Sequence, residues 1–105
     1  MTARGWIGYL KVDLLSSSFQ TLKDRRSWIR STLDQARGKF NVSVGDLSPD
    51  GAVTRVTLCF ALAGSSSSDV EGRLGSLRSL VSRMAEDHGL EVLDFWEEVL
   101  CDDDI

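Results

Sequence analysis

The sequence predicts an α+β fold with its elements in the order β-α-β-β-α-β, and three observations carry that reading. Gly5–Leu15 and Ala52–Ala63 alternate apolar and polar side chains with a period of two, as half-buried strands do. Leu22–Phe40 and Val70–His88 return apolar residues every three or four positions, as amphipathic helices do. Between the halves stands Ser48–Pro49–Asp50–Gly51, where proline fixes one dihedral and glycine accepts positive φ, the chemistry of a tight turn.

Each element follows in order. In the first strand Trp6, Leu10, Val12 and Leu14 fall on one side and Ile7, Tyr9, Lys11 and Asp13 on the other. Ser16–Ser17–Ser18 is a loop. Thr21 with Asp24 resembles a capping box, aspartate standing in for the usual glutamate, so the first helix begins there. Its apolar set is Leu22, Ile29, Leu33, Ala36 and Phe40, and Gly38 marks its end. The second strand is read over Lys39–Leu47, with Phe40, Val42 and Val44 inward. The third covers Ala52–Ala63, burying Val56, Leu58, Phe60 and Leu62. Gly64 and four serines link it to the second helix, for which Ser68 and Glu71 form the expected cap. That helix aligns Val70, Leu74, Leu77, Val81, Met84 and His88, and Gly89 stops it. A final strand, Leu90–Leu100, carries Leu90, Val92, Phe95 and Trp96, whose inward and outward faces the pattern leaves open.

Two helical crossovers around a central hairpin give a ferredoxin-like sandwich: a four-stranded antiparallel sheet with both helices on one face. The other face, bearing Ile7, Tyr9, Lys11, Asn41, Ser43, Arg55 and Thr57, is left half apolar and open, which invites a cover.

The chain has 105 residues, 42% hydrophobic and 27% charged, which fits one globular domain rather than a disordered segment. We read residues 5–100 as its core and 101–105 as a frayed acidic tail. No apolar run reaches membrane-spanning length, and the N-terminus lacks the pattern of a secretion signal, so a cytoplasmic location is expected. Cys59 and Cys101 have no metal-ligand spacing and are too few for a disulfide framework. Neither a metal nor a cofactor is expected, and no small-molecule substrate is inferred.

Charge is spread unevenly. Residues 1–39 hold eight lysines and arginines against three acids, whereas the remainder holds four arginines against thirteen acids. Such opposed fields can orient a small body toward an anionic partner although its net charge is −4. On the first helix Lys23, Arg26, Arg30 and Arg37 fall within roughly a 60° arc. Asp34 shares that arc and can pair with Arg30 or Arg37. The row is therefore read either as a phosphate-binding ridge or as a solvated face.

Gly8–Tyr9–Leu10–Lys11–Val12–Asp13–Leu14, Thr21–Leu22–Lys23–Asp24–Arg25–Arg26 and Phe40–Asn41–Val42–Ser43–Val44, the last followed by Gly45 and Asp46, resemble the YlxP-like family of small bacterial proteins of unknown function. The resemblance runs from about Gly5 to Leu100. It implies a ferredoxin-like fold and no particular reaction, and its members are often encoded beside translation and ribosome-maturation genes. Two positions depart from the family pattern. Val53–Thr54–Arg55 lacks the tryptophan that commonly precedes that arginine, and Arg25–Arg26 replaces a Lys-Arg pair.

Catalytic constellations are not legible. His88, the single histidine, reads as a cap at a helix C-terminus. The leading expectation is a non-enzymatic binding protein that meets RNA or the ribosome through Lys23, Arg25, Arg26, Arg30 and Arg37, helped by Lys39 and Arg55. The alternative is a homodimer, without nucleic acid, whose interface is the open sheet face at Ile7, Tyr9, Lys11, Ser43 and Thr57.

Overall fold

A computed structural model of the chain describes residues 3–105. Six elements follow one another: β1 (Trp6–Ser16), α1 (Leu22–Lys39), β2 (Ser43–Asp46), β3 (Arg55–Gly64), α2 (Ser67–Asp87) and β4 (Leu90–Cys101). The sheet order is β2-β3-β1-β4 and every neighbouring pair is antiparallel. This is the expected ferredoxin-like α+β arrangement.

The period-two pattern of β1 and β3 decides where the core lies. Leu10, Val12 and Leu14 from β1 and Val56, Leu58, Phe60 and Leu62 from β3 all turn to one face and are buried. Against them pack Trp28, Ile29, Leu33 and Ala36 of α1 and Val70, Leu74, Leu77, Leu80, Val81 and Met84 of α2, in one continuous cluster. Gly8 occupies an inward position of β1 because α2 comes closest there. A Cβ at Gly8 would lie 2.6 Å from Val70 Cγ1 and 3.0 Å from Leu74 Cδ1.

The first helix starts as its sequence dictates. Thr21 Oγ1 accepts from Asp24 N at 3.1 Å, while Asp24 Oδ2 accepts from Thr21 N at 3.2 Å and Gln20 N at 3.0 Å. Thr21→Ala should therefore lower stability by about 1 kcal/mol in urea unfolding. The bond from Gln20 N, seconded by that from Thr21 N, holds the Asp24 carboxyl below its ordinary 3.8. An acid with a depressed folded pKa lends stability that is complete above its unfolded value and is lost as pH falls through the folded one. Protection of the first-turn amides of α1, taken relative to their intrinsic exchange rates, is accordingly expected to fall below about pH 4 in wild type, and Asp24→Asn should remove that dependence.

Several boundaries differ from the sequence reading, each for a local reason. Helix α1 runs through Gly38 to Lys39 and closes with an extended Phe40, whose N–H reaches Ala36 O at 2.9 Å, so no left-handed glycine is needed. That extension shortens the second strand from 39–47 to Ser43–Asp46, and β3 begins at Arg55 rather than Ala52. Asn41 consequently lies outside the sheet. Leu22, placed with the apolar stripe of α1, is 38% exposed, while Trp28 and Thr32 are buried in addition. The cap of α2 is Ser66 with Asp69 N, two positions before the expected Ser68 and Glu71. His88 stands at the C-terminal cap of α2 and is exposed rather than aligned with the core.

The C-terminus is held rather than frayed. Cys101 is buried in β4, and Asp102–Asp104 form a short 3-10 turn. Gly5 N donates to Asp102 Oδ2 at 2.9 Å, Asp102 N to Gly5 O at 2.9 Å, and Arg4 pairs with Asp103 at 3.0 Å.

A bulge in the β1–β4 ladder, at Asp13/Leu14, resolves the two faces of β4. Phe95 and Val99 turn toward the helices, where the Arg78 guanidinium lies 4.7 Å from the centre of the Phe95 ring. Trp96 turns to the open face, edge-on to Tyr9 with ring centroids 5.7 Å apart.

Candidate anion-binding face

The cations singled out by the sequence do not share one fate. At about 100° per residue, Lys23, Arg26, Arg30 and Arg37 lie along one ridge of α1, but Arg25 points off it, toward the β2–β3 connection. Arg25 is a structural clamp: its Nη1 donates to Pro49 O at 2.8 Å and Ala52 O at 2.6 Å, with Arg55 O at 3.4 Å. It adds a charged bond to carbonyls of the β2–β3 connection that already accept long turn bonds, Pro49 O from Ala52 N at 3.4 Å and Ala52 O from Arg55 N at 3.2 Å. Arg25 therefore leaves the phosphate-binding set. Arg25→Ala should cost about 1–2 kcal/mol in thermal or urea unfolding, because charged hydrogen bonds to carbonyls are lost.

Arg37 is also engaged, pairing with Asp34 one turn earlier, so of the two partners open to Asp34 it is Arg37 that takes it. Lys39 is exposed at the last position of α1, and Arg55 is exposed at the start of β3, away from the ridge. What remains is compact. Lys23, Arg26 and Arg30 line, with Ser27, a depression of about 270 Å³. Among the described residues none of the three has an ion-pair partner. Three neighbouring cations outside any ion pair among the described residues, with Asp24 close enough to feel Lys23, hold a net positive field, and an anion entering it has no salt bridge to break.

Beside it, on the side of α1 facing the end of α2, a second depression of about 300 Å³ is lined by Phe19, Asp24, Ser27, Trp28, Ser31 and His88. Ser27 belongs to both. The sequence reading did not group these residues, since Phe19 comes from a loop and His88 from 69 positions along the chain.

The open sheet face is the other candidate surface. Ile7 is 40% exposed, Trp96 49% and Leu100 36%, and Tyr9 lies among them. Burial, reinforced by the Cys59 thiol, pushes the Tyr9 phenol above its ordinary 10.0. Lys11 is half-buried between Trp96 and Cys59 in register, and Ser43 is exposed on the edge strand. Thr57 shares that face, half-buried, its Oγ1 donating to Asp13 Oδ1 at 2.6 Å across the β1–β3 pair. Trp96 and Leu100, absent from the expected set, share the same open face.

With this geometry in hand, residues 7–95 match the family described as "Protein of unknown function (DUF503)". The chain belongs to that family. No curated protein matches the DUF503 chain in sequence. Among solved structures it is similar to a hydantoinase/carbamoylase family amidase from Burkholderia ambifaria, at 12% identity and a TM-score of 0.60, over 91% of this chain and 28% of that one. A second amidase of that family, from Burkholderia multivorans, gives 18% identity and a TM-score of 0.59 over 93% and 28%. A structural-genomics protein, YJCS, gives 8% and 0.54 over 88% and 96%. The DUF503 chain thus spans little more than a quarter of the amidase chains, and at these identities the likeness is one of fold alone. No helix among the described residues is long and apolar enough to cross a membrane.

Proposed function

We propose that this chain is a small, non-enzymatic, cytoplasmic protein that binds RNA through the phosphate backbone, using Lys23, Arg26 and Arg30. One observation carries the reading: three adjacent cations line a single depression with no carboxylate partner among the described residues, although the chain as a whole is acidic. A cluster left unneutralised in an acidic protein is the electrostatic footprint of a polyanion contact. The likeness of its motifs to the YlxP-like proteins, with their neighbouring ribosome-maturation genes, favours ribosomal RNA as the partner. Arg25 and Arg37 support the fold and the ridge, and contribute little to the grip.

The test is co-sedimentation with ribosomes across a salt series. Association is expected at low salt, weakening linearly in log–log form as salt rises. Failure to associate even at low salt overturns the reading.

A second reading rests on a separate observation, the cluster of Ile7, Tyr9, Trp96 and Leu100 on the uncovered sheet face. Here two copies would pair through those faces. Sedimentation equilibrium should then show a dimer that Tyr9→Asp weakens at least tenfold, since a charge would be buried against Trp96. A monomer at all concentrations removes this alternative.

A further inference from the structure

We propose that the depression between Phe19 and His88 receives one unpaired base of an RNA strand, whose flanking phosphates lie on Lys23, Arg26 and Arg30. This rests on the RNA-binding reading above and adds to it a base-holding subsite, with a preference for single strands.

Four features support the assignment. The first is continuity. Ser27 borders both depressions, so around α1 the surface passes from cations (Arg26, Arg30, Lys23) through hydroxyls (Ser27, Ser31) to aromatic groups (Trp28, Phe19). A nucleotide has the same sequence of chemistries from phosphate through sugar to base, over a similar short span.

The second is pre-organisation. Ser16 Oγ accepts from Ser18 N at 3.1 Å and Phe19 N at 3.0 Å, which fixes the loop carrying Phe19. Ser18 Oγ donates to His88 O at 3.0 Å and Ser17 Oγ to Gly89 O at 3.4 Å, tying that loop to the end of α2. The three serines of the loop thus fix Phe19 and the end of α2 beside one depression. Trp28 lines it as well, its Nε1 donating to Met84 O at 3.2 Å and its ring lying 6.4 Å from that of Phe19. His88 Nδ1 is 3.2 Å from the same carbonyl.

The third is charge sorting. Asp24 lines the aromatic depression and not the cationic one. Its cap bonds fall on Oδ2, so Oδ1 is left to accept from an exocyclic amine. A carboxylate there repels a phosphate and admits a base, which sets the orientation of the ligand. The fourth is size. About 300 Å³ lies at the small end of the roughly 300–1,000 Å³ of small-molecule sites, suited to one ring system rather than an extended ligand.

The experiment measures, by fluorescence anisotropy, binding of a labelled short single-stranded RNA and of an RNA duplex of equal length, with AMP as unlabelled competitor. Wild type should bind the single strand on the order of tenfold more tightly than the duplex. The Phe19→Leu/His88→Leu variant keeps apolar bulk but removes both aromatic faces. It should lose that tenfold preference while its duplex affinity stays unchanged, with its fold verified by circular dichroism. Equal wild-type affinity for strand and duplex, or a folded double variant that retains the preference, overturns the base subsite and leaves the phosphate ridge standing. AMP competing as tightly as the strand would assign the depression to a free nucleotide and overturn the strand proposal. Absence of binding to either RNA overturns the RNA reading itself, and this inference with it.

Discussion

Gly8→Val is expected to destabilise the protein by about 3 kcal/mol or more, the largest effect of any single substitution outside the large apolar core side chains. The space that valine needs is already filled: its Cβ alone would stand 2.6 Å from Val70 Cγ1, and two further methyl groups would follow. Gly8 is buried in β1, which pairs with β3 on one side and β4 on the other, so the strand has no free edge toward which to shift. Relief would have to come from α2 lifting, which would uncover Leu74 and Val70, both fully buried. Urea unfolding monitored by far-UV circular dichroism measures the loss as a lower midpoint at nearly unchanged slope. A variant as stable as wild type would show that α2 does not sit on β1 at this distance.

The triple variant Lys23→Ala/Arg26→Ala/Arg30→Ala is expected to weaken RNA binding on the order of a hundredfold at low salt, with little change in stability. The three side chains are exposed and lie outside the ion pairs among the described residues, so the fold does not depend on them. Removing three phosphate contacts should also flatten the dependence of log affinity on log salt by about 2 for a single strand. The combination is diagnostic. Loss of affinity with an unaltered salt slope would mean that the ridge acts through something other than phosphates.

How far the residues foretold this arrangement depends on how local each determinant is. The inward set of β3, the capping box at Thr21 and the stripe of α2 from Val70 to Met84 rest on spacing within one element, and they stand as read, whereas His88 falls off that stripe. The faces of β4 could not be read, because the bulge that shifts its register is a property of the β1–β4 pair. Leu90, Val92, Phe95 and Trp96 break strict alternation at that point.

The same distinction governs the candidate site. Pairing of Asp34 with Arg37 was foreseeable from helical spacing. The role of Arg25 was not, since its carbonyl partners lie at least 24 positions along the chain. Its place beside Arg26 in one basic motif conceals that the two point about 100° apart around α1, Arg25 toward the β2–β3 connection. Likewise nothing in Ser16–Ser17–Ser18 announces that these hydroxyls anchor the loop to His88 and Gly89. An apolar residue directly following a serine run, as Phe19 does, was the available signal that the loop had a buried side to hold.

The account stands on a division between free and spent cations on a single helix, and one measurement reaches it most directly. Salt titrations of RNA affinity should be compared for Arg30→Gln and Arg37→Gln, two arginines on the same ridge two turns apart. Arg30 has no ion-pair partner among the described residues and should take about 0.7 from the slope, whereas Arg37 is held by Asp34 and should take almost nothing. Equal losses from the two variants, or none from Arg30→Gln, would contradict it.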